Sequence, residues 1–359
     1  MKTIVINATA ISPGGGLTIL EQFVKNIPDD GNRYILFTHS SVNIESTPAN
    51  LRIVKKDVKS FFPRFYWDAY GLKHWIKQHI KRADAVVSLQ NTSVNLDRGT
   101  PNFIYYHQPL PLYDYKWSLF RSAERSLWLY KNIYPFFVRL FINEKTEVFV
   151  QIKFIRDRFK KKYKLPENKI HLIAPEINLP EIVPCRNGID KTCINLFFPA
   201  SVVIYKNHKV LFEALHRLDK EGYKAVLYLT CLENDFPVTW QAGFKNVKIC
   251  FLGKILHSEV LAFLQEMNAL VFPSYLETFG LPLLEAAMLG IPVIAADLPY
   301  AHDVIENYEG GRFVKYDDAG QWAEQIKAIG EIPPVRYPPY RMELQASWEK
   351  LFEIIKDKI

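Results

Sequence analysis

The stretch Ala269-Leu-Val-Phe-Pro-Ser-Tyr-Leu-Glu-Thr-Phe-Gly-Leu-Pro-Leu-Leu-Glu-Ala-Ala-Met-Leu-Gly-Ile-Pro-Val-Ile-Ala-Ala296 decides the fold. Its first four residues, Ala269 to Phe272, have the length and apolar content of a buried strand, and Pro292 to Ala295 read the same way. Between them Pro282 fits the first position of a helix, and Gly290 with Pro292 stops that helix after about two turns. Strand, helix and strand in so short a span predict one repeat of a parallel α/β sheet.

The same rhythm runs outward in both directions. Thr3 to Ile6, Arg33 to Phe37, Ala85 to Ser88, Pro101 to Tyr106 and Val148 to Val150 read as strands of the first half. Leu17, Leu20, Phe23, Val24 and Ile27 recur at helical spacing between the first two. Asn195 to Phe198, Ala225 to Leu229 and Val247 to Cys250 continue the pattern in the second half. The expected class is α/β, with two Rossmann-like, doubly wound parallel-sheet domains and a linker near Ala174 to Pro180. In such sheets ligands sit at the carboxyl ends of the strands.

Composition bounds the function. A chain of 359 residues with 48% hydrophobic and 23% charged residues has ample material for two cores. Its apolar runs, such as Tyr134 to Val138, are broken well before the ~18 residues of a membrane helix. The opening Met1 to Asn7 turns polar too soon for a signal peptide, so a cytoplasmic protein is expected. Cys185, Cys193, Cys231 and Cys250 show neither metal-ligand nor disulfide-framework spacing. Residues 1–180 carry 27 Lys and Arg against 15 Asp and Glu, whereas residues 181–359 carry 18 against 23. A basic first half suits an anionic partner, and it equally suits an ordinary solvated surface.

Two segments after strands carry candidate chemistry. Ser12-Pro-Gly-Gly-Gly-Leu17 leads into a helix and would let backbone amides approach a phosphate, although a plain turn explains it as well. It is neither GxGxxG nor GxxxxGK[ST], which disfavours a dinucleotide dehydrogenase and a P-loop NTPase. In the opening stretch, Glu277 lies on the loop before the helix and Glu285 is expected in its first turn. Free amides around Phe279, Gly280 and Leu281 lie between the two carboxylates, a donor and acceptor set suited to a polyhydroxylated ligand. An acidic first turn complementing the helix dipole would account for Glu285 but not for Glu277.

Glu277 and Glu285 around Phe-Gly-Leu-Pro resemble the Glu-x7-Glu signature of retaining glycosyltransferases of family four, which have the GT-B fold. Tyr205-Lys-Asn-His208 with Leu211 to Ala214, Phe251-Leu-Gly253, Gly290 to Asp297, and Val150-Gln151 with Lys169 to Ile173 and Pro175 are similar to further segments of that family, in order. The resemblance implies domains at 1–175 (acceptor side) and 176–338 (nucleotide-sugar side), facing each other across a cleft, and an amphipathic helix at 339–359 returning to the first domain. It implies that Glu285 binds ribose hydroxyls, that Glu277 binds sugar hydroxyls, and that the amides from Thr278 to Leu281, through Phe279 and Gly280, hold sugar and diphosphate. Lys206 would pair with the diphosphate, and Gly15 and Gly16 would approach it. No metal and no cofactor are expected, the nucleotide diphosphate sugar being a substrate. One departure stands out: where the family has an Arg five residues before the Lys, this chain reads Ala200-Ser201-Val202. Ser201 would offer a neutral hydrogen bond, and Lys254 is a candidate replacement cation.

His107, in His107-Gln-Pro109, sits where the family often has a histidine near the donor sugar; a plain strand-end histidine is the alternative. His302 and Asp303 read as capping residues. From Lys116 to Ile142, aromatics including Trp117, Phe120, Trp128 and Phe136 interleave with Arg121, Arg125, Lys131 and Arg139. That suits a membrane interface or a lipid-linked acceptor, or core packing of a long helical excursion. No RNA-binding motif accompanies it, so no nucleic-acid partner is expected. The expectation is a retaining, metal-independent hexosyltransferase acting on a glycan, with a lipid-linked oligosaccharide and peripheral contact with an anionic membrane as its setting. The donor would be a UDP-sugar before GDP-mannose. A non-catalytic GT-B scaffold and a GT-B nucleotide-sugar epimerase are the alternatives.

Overall fold

A parallel sheet covered on both faces needs strands that are apolar throughout, and the central strands meet that demand. The computed structural model describes the chain apart from residues 12–14, 59, 98, 178, 180–188, 241, 333–334 and 343–346. The first half of Ser12 to Leu17, part of the expected linker, Cys185 and Leu344 therefore lie outside the described residues.

The chain divides into two compact units, Met1–Glu176 with Leu344–Ile359, and Ile177–Glu343. The first holds β1 (Thr3–Ala8), β2 (Arg33–Thr38), β3 (Leu51–Lys55), β4 (Ala85–Ser88), β5 (Asn102–Tyr106), β6 (Thr146–Val150) and β7 (Ile170–Leu172). They form one parallel sheet in the order β3-β2-β1-β4-β5-β6-β7. The second holds β8 (Ile194–Phe198), β9 (Ala225–Leu229), β10 (Val247–Phe251), β11 (Ala269–Phe272), β12 (Val293–Ala296) and β13 (Gly311–Val314), in the order β10-β9-β8-β11-β12-β13. Both sheets are doubly wound, and the strand order reverses between β1 and β4 and between β8 and β11.

Alternation along β1 separates the first unit's two cores. Ile4 and Ile6 face a cluster with Leu20, Phe23 and Trp348, whereas Val5 faces Ile35, Phe37, Trp67 and Leu72. The C-terminal helix Trp348–Lys358 completes the first cluster. Trp348 stacks on Tyr105 with ring centroids 5.4 Å apart and meets Phe23 edge-on at 6.1 Å. Its Nε1–H donates to Gln22 Oε1 at 3.2 Å.

Several expectations are corrected. β3, β7 and β13 were not expected as strands of the sheets. Each lies at a sheet edge, where half-exposed positions admit Arg52, His171 and Arg312 and blur the apolar run. The residues from Lys116 to Ile142 do not form one long helix. They form two short ones, Arg125–Asn132 and Tyr134–Arg139, with Pro135 at the start of the second. The terminal helix starts at Trp348 rather than near 340; Tyr340 instead donates its N–H to Ala287 O at 3.0 Å. No helix of the described residues is long and apolar enough to cross a membrane.

Trp348→Ala should destabilise the first unit by about 3–5 kcal/mol, through lost ring contacts and the cavity left behind. Trp348→Phe, which keeps a ring but loses the bond to Gln22, should cost less. Urea unfolding followed by circular dichroism checks the order of the two.

Candidate functional site

In the second unit, the loops that leave β8 and β11 lie where the strand order reverses. The first loop ends in a single tight turn, Ile204–Lys206, followed by Asn207 at φ 60°, a left-handed conformation that asparagine tolerates. Asn207 Nδ2 donates to Tyr316 O at 2.6 Å and to Pro273 O at 3.3 Å. Tyr275 N–H donates to Tyr205 O at 2.9 Å. These bonds hold the two loops together and set Lys206 Nζ 2.5 Å from Glu277 Oε1. The ammonium also lies 5.6 Å from the centre of the Phe272 ring. Both side chains are mostly buried, 18% and 13% exposed, so the contact is sheltered from bulk solvent.

The helix Leu281–Met288 begins after Gly280, whose φ of 89° is left-handed. A Cβ there would lie 3.1 Å from Leu283 Cδ1, so both backbone and space call for glycine. Pro282 is the second helical residue rather than the first. Glu285 is corrected as well: it is the fifth, in the second turn, and the first turn holds no acidic residue. A dipole role therefore does not explain it. Glu285 is buried, and its Oε1 accepts from His257 Nε2 at 2.7 Å. His257 opens the helix His257–Glu266 after β10. The hydrogen bond to Glu285 raises its pKa above the usual histidine value, against the effect of burial. Sequence reasoning missed His257, although it stands four residues after Gly253 of the segment resembling a base-binding loop.

Thr278 and Leu281 are partly buried and Phe279 is fully so. Ser201 is exposed, its carbonyl accepting from Val203 N–H at 3.0 Å. His302 does not cap its helix: Nε2–H donates to Asp297 Oδ1 at 2.7 Å, on the loop before Pro299–Ile305.

The remaining candidates, Gly15, Gly16 and His107, belong to the first unit. A Cβ on Gly16 would come within 3.4 Å of His107 Cε1, whereas one on Gly15 would meet nothing within 4 Å. His107 N–H donates to Asn91 Oδ1 at 2.5 Å, and Nε2–H donates to Leu89 O at 3.0 Å. A carbonyl can only accept, so Nε2 carries the proton and Nδ1 is the acceptor. Burial pushes the imidazole pKa down to about 4, with Arg64 adding to the effect against the Leu89 bond. The ring is therefore neutral at pH 7.

Beside it lies a polar network that sequence reasoning did not find. Asp68, on the wide helical turn Trp67–Gly71, is buried. It accepts from Asn7 at 2.8 Å, Gln90 at 3.0 Å and Thr92 at 2.7 Å. Arg64 donates to Gln90 O and to Tyr134 OH. Burial lifts the Asp68 pKa to about 6 despite Arg64 and the donors. The network ties the ends of β1 and β4 to the helical segment that follows β3.

Residues 184–344 match the family described as glycosyl transferases group 1. This part of the chain is similar to group 1 glycosyl transferases. A curated relative, the O-antigen chain mannosyltransferase RfbU of Salmonella typhimurium, is 24% identical over 210 residues, 56% of each chain. The chain spans about half the length of the curated relatives it matches. Among solved structures, WaaG, a glycosyltransferase involved in lipopolysaccharide biosynthesis, aligns with a TM-score of 0.68 at 18% identity, covering 99% of this chain and 95% of that one. HepE of Anabaena, in complex with UDP-glucose, aligns with a TM-score of 0.62 at 14% identity, covering 91% and 89%. These likenesses show the fold, GT-B.

Within the second unit, Lys206 is a cation that meets Glu277. His208, two residues on, is buried, and burial together with the Lys206 charge brings its pKa down to about 4, so it adds no charge. Lys254 is exposed on the loop after β10. Lys206→Met should destabilise the second unit more than Lys206→Met combined with Glu277→Gln, because the single change takes the ammonium away from a sheltered carboxylate. A double-mutant cycle by denaturant unfolding should give a coupling of roughly 0.5–3 kcal/mol.

Proposed function

We infer that the chain is a retaining hexosyltransferase that takes a nucleotide diphosphate sugar as donor and a glycan as acceptor. The observation that carries this reading is the Lys206–Glu277 contact where β8 and β11 part, with Glu285 buried on the helix that follows. An ammonium and two carboxylates at a switch point suit a ligand that is anionic at its centre and hydroxylated at both ends. Lys206 would meet the diphosphate and offset the charge that builds on it as the bond from the anomeric carbon breaks. Glu277, held by Lys206, would accept from sugar hydroxyls, and Glu285 from the ribose. Amides at the start of Leu281–Met288 add donors for the anion. The acceptor hydroxyl oxygen would bond to the anomeric carbon on the face the diphosphate leaves, its proton passing to the departing phosphate oxygen. The reading needs no metal. A UDP-hexose is the preferred donor; GDP-mannose is its rival because the Salmonella relative is named a mannosyltransferase.

The acceptor we assign is a lipid-linked oligosaccharide at the cytoplasmic face of an anionic membrane. Phe62, Tyr66, Tyr70, Phe120 and Phe136 are 80%, 64%, 62%, 93% and 60% exposed, unusual for aromatic side chains. Phe137 packs on Phe61 at 4.6 Å, joining the segment at 61–70 to the basic and aromatic stretch read from the sequence. Lys56, Lys73 and Lys77 line the groove beside Tyr66 and Tyr70.

Thermal shift with UDP, GDP, ADP and their hexose conjugates tests the donor. One nucleotide should stabilise the protein selectively, Glu285→Ala should abolish the shift, and Lys206→Ala should weaken donor binding by roughly one to two decades. Absence of any shift at millimolar nucleotide would leave a non-catalytic scaffold as the better reading. For the membrane, the protein should sediment with phosphatidylglycerol vesicles at low salt and not with phosphatidylcholine vesicles. Phe62→Ser combined with Phe120→Ser should reduce the bound fraction several-fold if the rings insert.

A further inference from the structure

The relation between His257 and Glu285 goes one step beyond the donor reading and rests on it. Glu285 leaves its helix almost wholly buried, with its side chain 7% exposed, while the His257 side chain that bonds to it is 57% exposed. One edge of the imidazole is thus committed to the carboxylate and the other is open to a ligand. The backbone that presents the ring is held at several points. Leu252 and Gly253 donate to Leu229 O and Cys231 O at 2.8 and 3.2 Å. Leu256 N–H donates to Glu259 Oε2 at 2.7 Å, fixing the residue before His257. Gly253 takes a φ of 67°, which lets the loop turn back towards the helix.

A carboxylate that accepts from two vicinal hydroxyls needs a fixed orientation, and a bond to one oxygen is the simplest way to supply it. We propose that His257 is a positioning residue for the nucleotide: it holds Glu285 Oε1 so that Oε2 faces the ribose hydroxyls, and its open edge lies against the nucleoside. Glu285, from the facing helix, is in contact with the ring, while Lys254 and Glu259 are the charged residues of its own segment. An anionic ligand at this place favours the imidazolium further. Nucleotide affinity should then fall as the pH rises through the range in which His257 loses its proton. The direction follows from the charge of the diphosphate, which is attracted to the imidazolium and not to the neutral ring.

Isothermal titration of the nucleotide diphosphate that stabilises the wild type, at several pH values between 6 and 8.5, tests this. His257→Ala should weaken binding roughly tenfold, the worth of one hydrogen bond to a charged group. It should change kcat far less than KM, and flatten the pH dependence. His257→Gln, whose amide N–H can replace Nε2–H but does not titrate, should regain most of the affinity while keeping the flat profile. His257→Ala binding within twofold of wild type, with the same pH dependence, would overturn the inference and leave the donor site intact. Failure of the wild type to bind any nucleotide would overturn the donor reading and this inference together. A thermal unfolding midpoint near that of wild type shows that the variants are folded.

Discussion

Neighbouring parallel strands cannot be joined by a tight turn, and that constraint shapes everything else in this chain. Each strand must be followed by a crossover that covers one face of its sheet, so the loops that begin the crossovers all leave from the same edge. Where successive crossovers go to opposite sides, adjacent loops part and backbone and side-chain polar groups are left facing open space. The parting falls between β1 and β4 in the first unit and between β8 and β11 in the second. Gly16, His107, Asp68 and Arg64 gather near the first, and Lys206 and Glu277 near the second.

The charged groups at the two places are arranged on different principles. In the first unit Asp68 is buried among Asn7, Gln90 and Thr92, and burial outweighs its donors, so the carboxyl titrates near 6. His107 is kept neutral by the same dry surroundings. In the second unit Lys206 and Glu277 satisfy one another directly, and Glu285 takes His257. A charge in low dielectric needs a partner, and each pair orients the groups that form it. Oriented charge of that kind is what transfer of an anionic leaving group requires.

Ser201 stands where the family that the sequence resembles has an arginine. Ser201 is exposed and His208 is a neutral ring packed between Phe198 and Phe236, at 4.8 and 5.1 Å. The Lys206 cation is held by a salt bridge, by the Phe272 ring and by loops whose backbones bond to one another through Asn207 and Tyr275, so its position is determined more tightly than that of an exposed lysine.

The sequence by itself determined the α/β class and the central strands, because strands buried on both faces must be apolar throughout. It also showed Glu277, Glu285 and Lys206 as unusual residues just after such strands. It did not show β3, β7 and β13, since edge positions tolerate polar side chains, nor the break in the helical stretch near Tyr134. Above all it could not pair the site residues. Lys206 and Glu277 are 71 positions apart and His257 and Glu285 are 28 apart. They meet only because the crossovers bring β11 beside β8 and fold the loop after β10 against the helix that follows β11. Periodicity reports which face of an element is buried; which elements become neighbours is a property of the folded chain, and the partners of a charge are chosen there.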